Sequence, residues 1–139
     1  LEALGRQLIL EYYDCPSNLL DDHKFIEDVM VAAAEHMRAH IVSVEFHHFN
    51  PHGVSGVVVI SESHLTIHTW PEYGYAAVDV FTCGQVINPW EAHAFMKERF
   101  QCKRESCVEF RRGVFDVAPG TLPSAYGVLP EEANRRVGT

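Results

Sequence analysis

The chain has 139 residues, 47% hydrophobic and 22% charged, a composition that fits one folded domain able to bury its own core. Its formal net charge of −8 argues against nucleic acid as a partner, because phosphate binding draws on clustered Lys and Arg. No apolar run approaches a membrane span, no basic-then-apolar secretory signal opens the chain, and the four cysteines lack CxxC spacing, so a cytoplasmic protein with reduced thiols is expected.

The chain begins at Leu1 rather than Met, so its natural start is expected upstream. Gly5 to Tyr13 alternates loosely and is rich in Leu, Ile and Tyr, which predicts a strand. Cys15-Pro16-Ser17-Asn18 predicts a turn. From Leu19 to about His40 the apolar residues Phe25, Ile26, Val29, Met30, Ala33 and Met37 recur at helical spacing. Strands follow over Ile41–Phe49, Val54–Glu62, His64–Trp70 and Tyr75–Cys83, with Asn50-Pro51-His52-Gly53 and Pro71-Glu72-Tyr73-Gly74 as breaks. Asn88-Pro89 supplies an N-cap and a proline at the first helical position, opening a helix to about Phe100. Arg104–Arg111 reads as a last strand, and the Pro- and Gly-rich tail after Phe115 as irregular. The order β-α-β-β-β-β-α-β, with short turns between neighbouring strands, predicts an α+β two-layer sandwich. Its sheet is mainly antiparallel and its two helices lie on one face.

Alternation sorts the strands into faces. Leu65 and Ile67 oppose His64, Thr66 and His68; Val78 and Val80 oppose Asp79, Phe81 and Cys83; Val42, Val44 and Phe46 oppose Glu45, His47 and Phe49. One aliphatic set suits a helix layer. The other, holding Phe49, His68 and Cys83, predicts an uncovered face that is a site, a dimer interface, or both.

The stretch Ser61 to Trp70 is the least ordinary, because it places hydroxyls, a carboxylate and two imidazoles after the apolar run Gly56–Ile60. Burying such groups costs free energy unless they are hydrogen-bonded. Four chemistries fit. The residues can be a plain hydrogen-bonded sheet surface. A metal could use His47, His48, His52, His64 or His68, but no HExxH or Cys/His pattern is present, and His64 and His68 stand about 13 Å apart on one strand; no metal is expected. A Ser–His hydrolase would use Ser63, which lacks a GxSxG elbow. Finally, the Ser63 hydroxyl could attack the carbonyl of Glu62 and turn the amide into an ester. Elimination and hydrolysis would then leave a pyruvoyl group, with His68 as base and Ser55 as oxyanion partner.

The segment His47 to Gly84, above all GVSGVVVISESHLTIHTWPEYGYAAVD and the FTCG after it, closely resembles the bacterial and archaeal S-adenosylmethionine decarboxylase proenzymes. Weaker similarity runs from Leu4-Gly5-Arg6 through the Pro89-Trp90 helix. The resemblance implies a single domain over residues 1–139, self-cleaved between Glu62 and Ser63 into a β chain of 1–62 and an α chain of 63–139. Ser63 would become the pyruvoyl cofactor, His68 would serve processing, Ser55 would stabilise the processing intermediate, and Cys83 would be the catalytic proton donor. Phe49 would stack on the adenine with His68, and Glu72 would bind the ribose. The substrate's α-amine would form a Schiff base with the pyruvoyl carbonyl, which serves as electron sink while carbon dioxide leaves. The product would be the aminopropyl donor for spermidine synthesis. The family's homodimer of αβ units, with sites at the subunit boundary, is implied as well.

Two departures stand out: Gln85-Val86-Ile87-Asn88 replaces an expected acidic run, and the tail resembles nothing recognisable. Cys15, Cys102 and Cys107 read as structural. A rival of the same fold would decarboxylate ornithine or arginine, with Glu45 or Asp79 holding the distal cation. A rival of another class is a non-catalytic, unprocessed homologue.

Overall fold

The computed structural model describes residues 2–61, 63–84 and 86–118. Six strands form one antiparallel sheet in the order β2-β3-β4-β5-β1-β6: β1 (Glu2–Tyr13), β2 (Ile41–His48), β3 (Val54–Ile60), β4 (Ser63–Trp70), β5 (Tyr75–Cys83) and β6 (Arg104–Phe115). The helices are a single turn, α1 (Ser17–Leu20), then α2 (His23–His36) and α3 (Pro89–Phe100). They give the α+β two-layer sandwich that the alternation predicts.

Period-two burial decides which face the helices cover. Leu8, Leu10 and Tyr12 of β1, Val58 and Ile60 of β3, Leu65 and Ile67 of β4, and Val78 and Val80 of β5 are buried. They meet Ile26, Met30 and Ala33 of α2 and Ala92, Met96 and Phe100 of α3 in one core. Fully burying each large aliphatic side chain stabilises the fold by about 1.5–3 kcal/mol.

The predicted helix over Leu19–His40 is interrupted at Asp22. Its carboxylate accepts the Phe25 N–H at 3.0 Å, so it caps the start of α2 instead of lying within a longer helix. The helix also stops four residues early, where Arg38 turns left-handed at φ 64°. Asn88 caps α3 as predicted, accepting the Trp90 N–H at 3.0 Å. β1 starts earlier than predicted, and β6 runs four residues further, to Phe115.

Among the described residues, the other sheet face carries no helix. Val108 and Phe110 of β6 stand there 46% and 50% exposed, beside Gln7 and Ile9 of β1. No described helix is long and apolar enough to cross a membrane. Glu62, Gln85 and the tail from residue 119 lie outside the described residues.

Candidate active site

A cavity of about 270 Å³ opens where β3 begins and β4 ends, lined by Phe49, His52, Ser55, His68, Trp70 and Glu72. Its depth comes from register. Ser55 and His68 are direct cross-strand partners, and Ser55 Oγ lies 2.7 Å from His68 Nδ1. Gly56, one residue on, faces the buried Phe46 ring so closely that a Cβ there would overlap it. The ring therefore dictates glycine and holds Ser55 at the cavity edge.

The loop from Phe49 to Gly53 forms the near wall. Phe49 N–H donates to the Gly53 carbonyl at 2.8 Å, and Asn50–Pro51 is a cis peptide. Asp21 anchors this loop: one carboxylate oxygen accepts the Gly53 N–H and lies 2.9 Å from His48 Nε2, each bond at 2.9 Å. The Gly53 N–H foremost, and then His48, hold the Asp21 carboxyl below its ordinary value. Buried Thr69 ties the wall to the helices, accepting the Val54 N–H at 2.9 Å and donating to the Leu20 carbonyl at 2.8 Å. Across the cavity, His52 Nε2 sits 3.1 Å from the Glu72 carboxylate. His47 meets Phe49 edge-on, with ring centroids 4.5 Å apart.

Ser63 lies at the opposite end of β4. Ile60 and Ser63 pair across the β3–β4 hairpin, so only residues 61 and 62 connect the strands. Ser63 has φ 152°, a backbone region open to glycine and costly for a side chain, at about 1–3 kcal/mol. Its other cross-strand partner is Thr82, next to Cys83. Thr82 Oγ1 is buried with no hydrogen-bond partner among the described residues. Cys83 is buried and outside any disulfide. It pairs with Gly5, where an added Cβ would meet Phe81 at 2.8 Å and the Thr82 carbonyl at 2.9 Å.

The chain therefore brings the expected site residues together in two sets. Phe49, Ser55, His68 and Glu72 share the cavity, while Ser63 begins β4 at the other end, opposite Thr82 and one residue short of the level of Cys83, which ends β5. His68 lies five steps after Ser63 along β4, about 17 Å at 3.3–3.4 Å per residue. Of the rival's carboxylates, Glu45 is exposed on β2, and Asp79 is engaged on the uncovered face by Gln7 at 3.5 Å and Thr66 at 3.4 Å. His52, Trp70, Asp21 and Thr69 are cavity builders that sequence reasoning did not assign. The signal was available: a hairpin closing on residues 61 and 62 pairs Ser55 with His68 and puts the ends of both strands at one rim.

A family model described as S-adenosylmethionine decarboxylase matches residues 6–113. The chain is 55% identical over 116 residues to a protein of Thermoanaerobacter sp. (strain X514) named S-adenosylmethionine decarboxylase proenzyme, covering 84% of this chain and 94% of the relative. A protein of that name from Acetivibrio thermocellus is 53% identical with the same coverage. Among solved structures, the adenosylmethionine decarboxylase of Aquifex aeolicus VF5 superposes with a TM-score of 0.80 at 29% identity, covering 87% of this chain and all of that one.

Proposed function

The chain belongs to the S-adenosylmethionine decarboxylase family, and on that premise we propose that it decarboxylates S-adenosylmethionine with a pyruvoyl group made from its own Ser63. The observation that carries the reading is the φ of 152° at Ser63, beside a two-residue hairpin connection. Strain at a serine that begins a strand raises the ground state of the bond before it. Attack of Oγ on the preceding carbonyl, which exchanges amide for ester, relieves that strain. A base then takes the Ser63 Cα proton, the carboxylate of residue 62 leaves, and hydrolysis of the dehydroalanine releases ammonia. The products are chains of 1–62 and 63–139.

The pyruvoyl group supplies a carbonyl for the substrate's amine and an electron sink for the bond to carbon dioxide. The residues around Ser63 fit it. Cys83 offers a thiol as proton donor on the neighbouring strand. Phe49 and His68 offer two rings to an adenine, and aromatic faces also attract a sulfonium cation. Glu72, oriented by His52, accepts from ribose hydroxyls.

One chain leaves His68 about 17 Å from Ser63, too far for proton transfer. A second copy related by a two-fold axis, packed on the uncovered sheet face, joins the two halves. It sets the Ser55–His68 end of one protomer against the Ser63–Cys83 end of its partner. The exposed Val108 and Phe110 support this reading, because a lone domain would leave that apolar surface wet.

Mass spectrometry of the purified protein tests the proposal. Two fragments split before residue 63 are expected, the larger lighter than its sequence mass by the exchange of serine for pyruvoyl. A single intact chain after long incubation would overturn it. Carbon dioxide release from S-adenosylmethionine, and none from ornithine or arginine, is the matching substrate result.

A further inference from the structure

We propose that His93, Glu105 and Cys107 form a divalent-metal site, suited to Zn²⁺, that pins α3 to the edge strand β6 on the helix-covered side of the sheet. The three ligand atoms lie within 4.8 Å of one another. His93 Nε2 is 3.4 Å from Cys107 Sγ and 3.3 Å from Glu105 Oε2. Tetrahedral zinc, with bonds of about 2.0–2.2 Å to N and O and about 2.3 Å to S, has N···O edges of about 3.4 Å and N···S edges of about 3.5 Å. The two edges that meet at His93 already have the spacing an ion requires, and the Glu105–Cys107 edge, within 4.8 Å, closes on binding.

The imidazole is held as a ligand is held. His93 is buried; its Nδ1 lies 2.7 Å from the hydroxyl of Tyr12, which is fully buried. Tyr12 stacks on the ring at 5.7 Å and 8°, and Trp90 closes it edge-on at 5.7 Å. With Nδ1–H donating to Tyr12, the Nε2 lone pair faces Cys107 and Glu105, the outer-shell arrangement that orients metal-binding histidines. Lys97 holds the second carboxylate oxygen of Glu105 at 2.9 Å and leaves Oε2 for the ion. A neutral imidazole, a carboxylate and a thiolate balance the dication, and the Cys107 proton goes to solvent. The fourth position opens on the exposed side of Glu105, where water completes the tetrahedron. Among the described residues β6 is an edge strand paired with β1 alone, so a tie to α3 adds a constraint the sheet does not give it.

Co²⁺ added to the purified protein tests this. A thiolate-to-cobalt band in the near ultraviolet is expected at one ion per chain, displaced by Zn²⁺. Zn²⁺ should also raise the thermal midpoint in a concentration-dependent way. Cys107→Ser should lose the band and the thermal shift while still self-cleaving and decarboxylating. Cys102→Ser, whose thiol donates to the Lys97 carbonyl, should keep both. Tyr12→Phe should weaken Zn²⁺ binding by about 10–100-fold. Absence of a thiolate band in the wild type, or its survival in Cys107→Ser, overturns the site.

Discussion

The two ends of β4 are built by opposite means. At the Trp70 end, side chains are satisfied several times over: Ser55 with His68, His52 with Glu72, Asp21 with Gly53 and His48, and Thr69 with Val54 and Leu20. At the Ser63 end the backbone is strained, and a buried hydroxyl, Thr82 Oγ1, lacks a partner among the described residues. A satisfied network orients a ligand and endures; a strained turn is poised to react once. The difference teaches that the two ends of one strand are built for different tasks, and that the proposed chemistry, which draws on His68 at one end and Ser63 at the other, needs a second chain to join them.

Complementation breaks or keeps this division most sharply. Ser63→Ala alone and His68→Ala alone should each remain a single, inactive chain. Co-expressed, they should form mixed dimers in which one site combines the intact Ser63 end with the intact His68 end. Activity should return to about a quarter of wild type, from random pairing with one sound site per mixed dimer. If no processing returns in dimers shown to be mixed, the two ends do not meet across chains. Next in size is Cys83→Ala. It should still be cleaved, since elimination draws on the other end, yet lose most decarboxylation; normal carbon dioxide release would remove Cys83 from the chemistry.

How legible these ends were in the sequence differs for a physical reason. Alternation in Leu65, Ile67, Val78 and Val80 reads directly as a covered face, because strand periodicity is local. The cap at Asn88 reads just as well. The cap at Asp22 did not, since Leu19 and Leu20 continue the apolar helical pattern across it. Ser63, His68 and Cys83 were named by resemblance, but their separation into two sets was not seen. That follows from register, and placing the first residue of β4 at His64 hid the pairing of Ser55 with His68. His93 and Cys107 were unreadable as a pair, because fourteen residues and a helix-to-strand change separate them.

Glycine replacements probe each end with smaller effects. Gly56→Ala would push into the Phe46 ring at the cavity end, and Gly5→Ala into Phe81 and the Thr82 carbonyl beside Cys83. Each should lower stability by about 1–3 kcal/mol, read as a shift of the urea midpoint. A wild-type midpoint for either would mean that the close approach at that end is not fixed.

The smallest effect concerns Asp21 and separates the ends by pH. Its carboxyl is held below the ordinary value by the Gly53 N–H and then by His48, with the charge of nearby His52 adding to them. The unfolded chain therefore takes up the Asp21 proton at a higher pH than the folded one. The stability this group contributes is fully present above the unfolded value of 3.8 and is lost as pH falls through the folded value. The urea midpoint of Asp21→Asn should lie a constant interval below wild type in neutral buffer, and the interval should close below about pH 4. The same substitution should raise the KM for S-adenosylmethionine more than it lowers kcat, because it loosens the Phe49 loop and leaves Ser63 and Cys83 untouched. An interval that widens on acidification, or a loss confined to kcat, would mean that Asp21 acts on the reacting end instead.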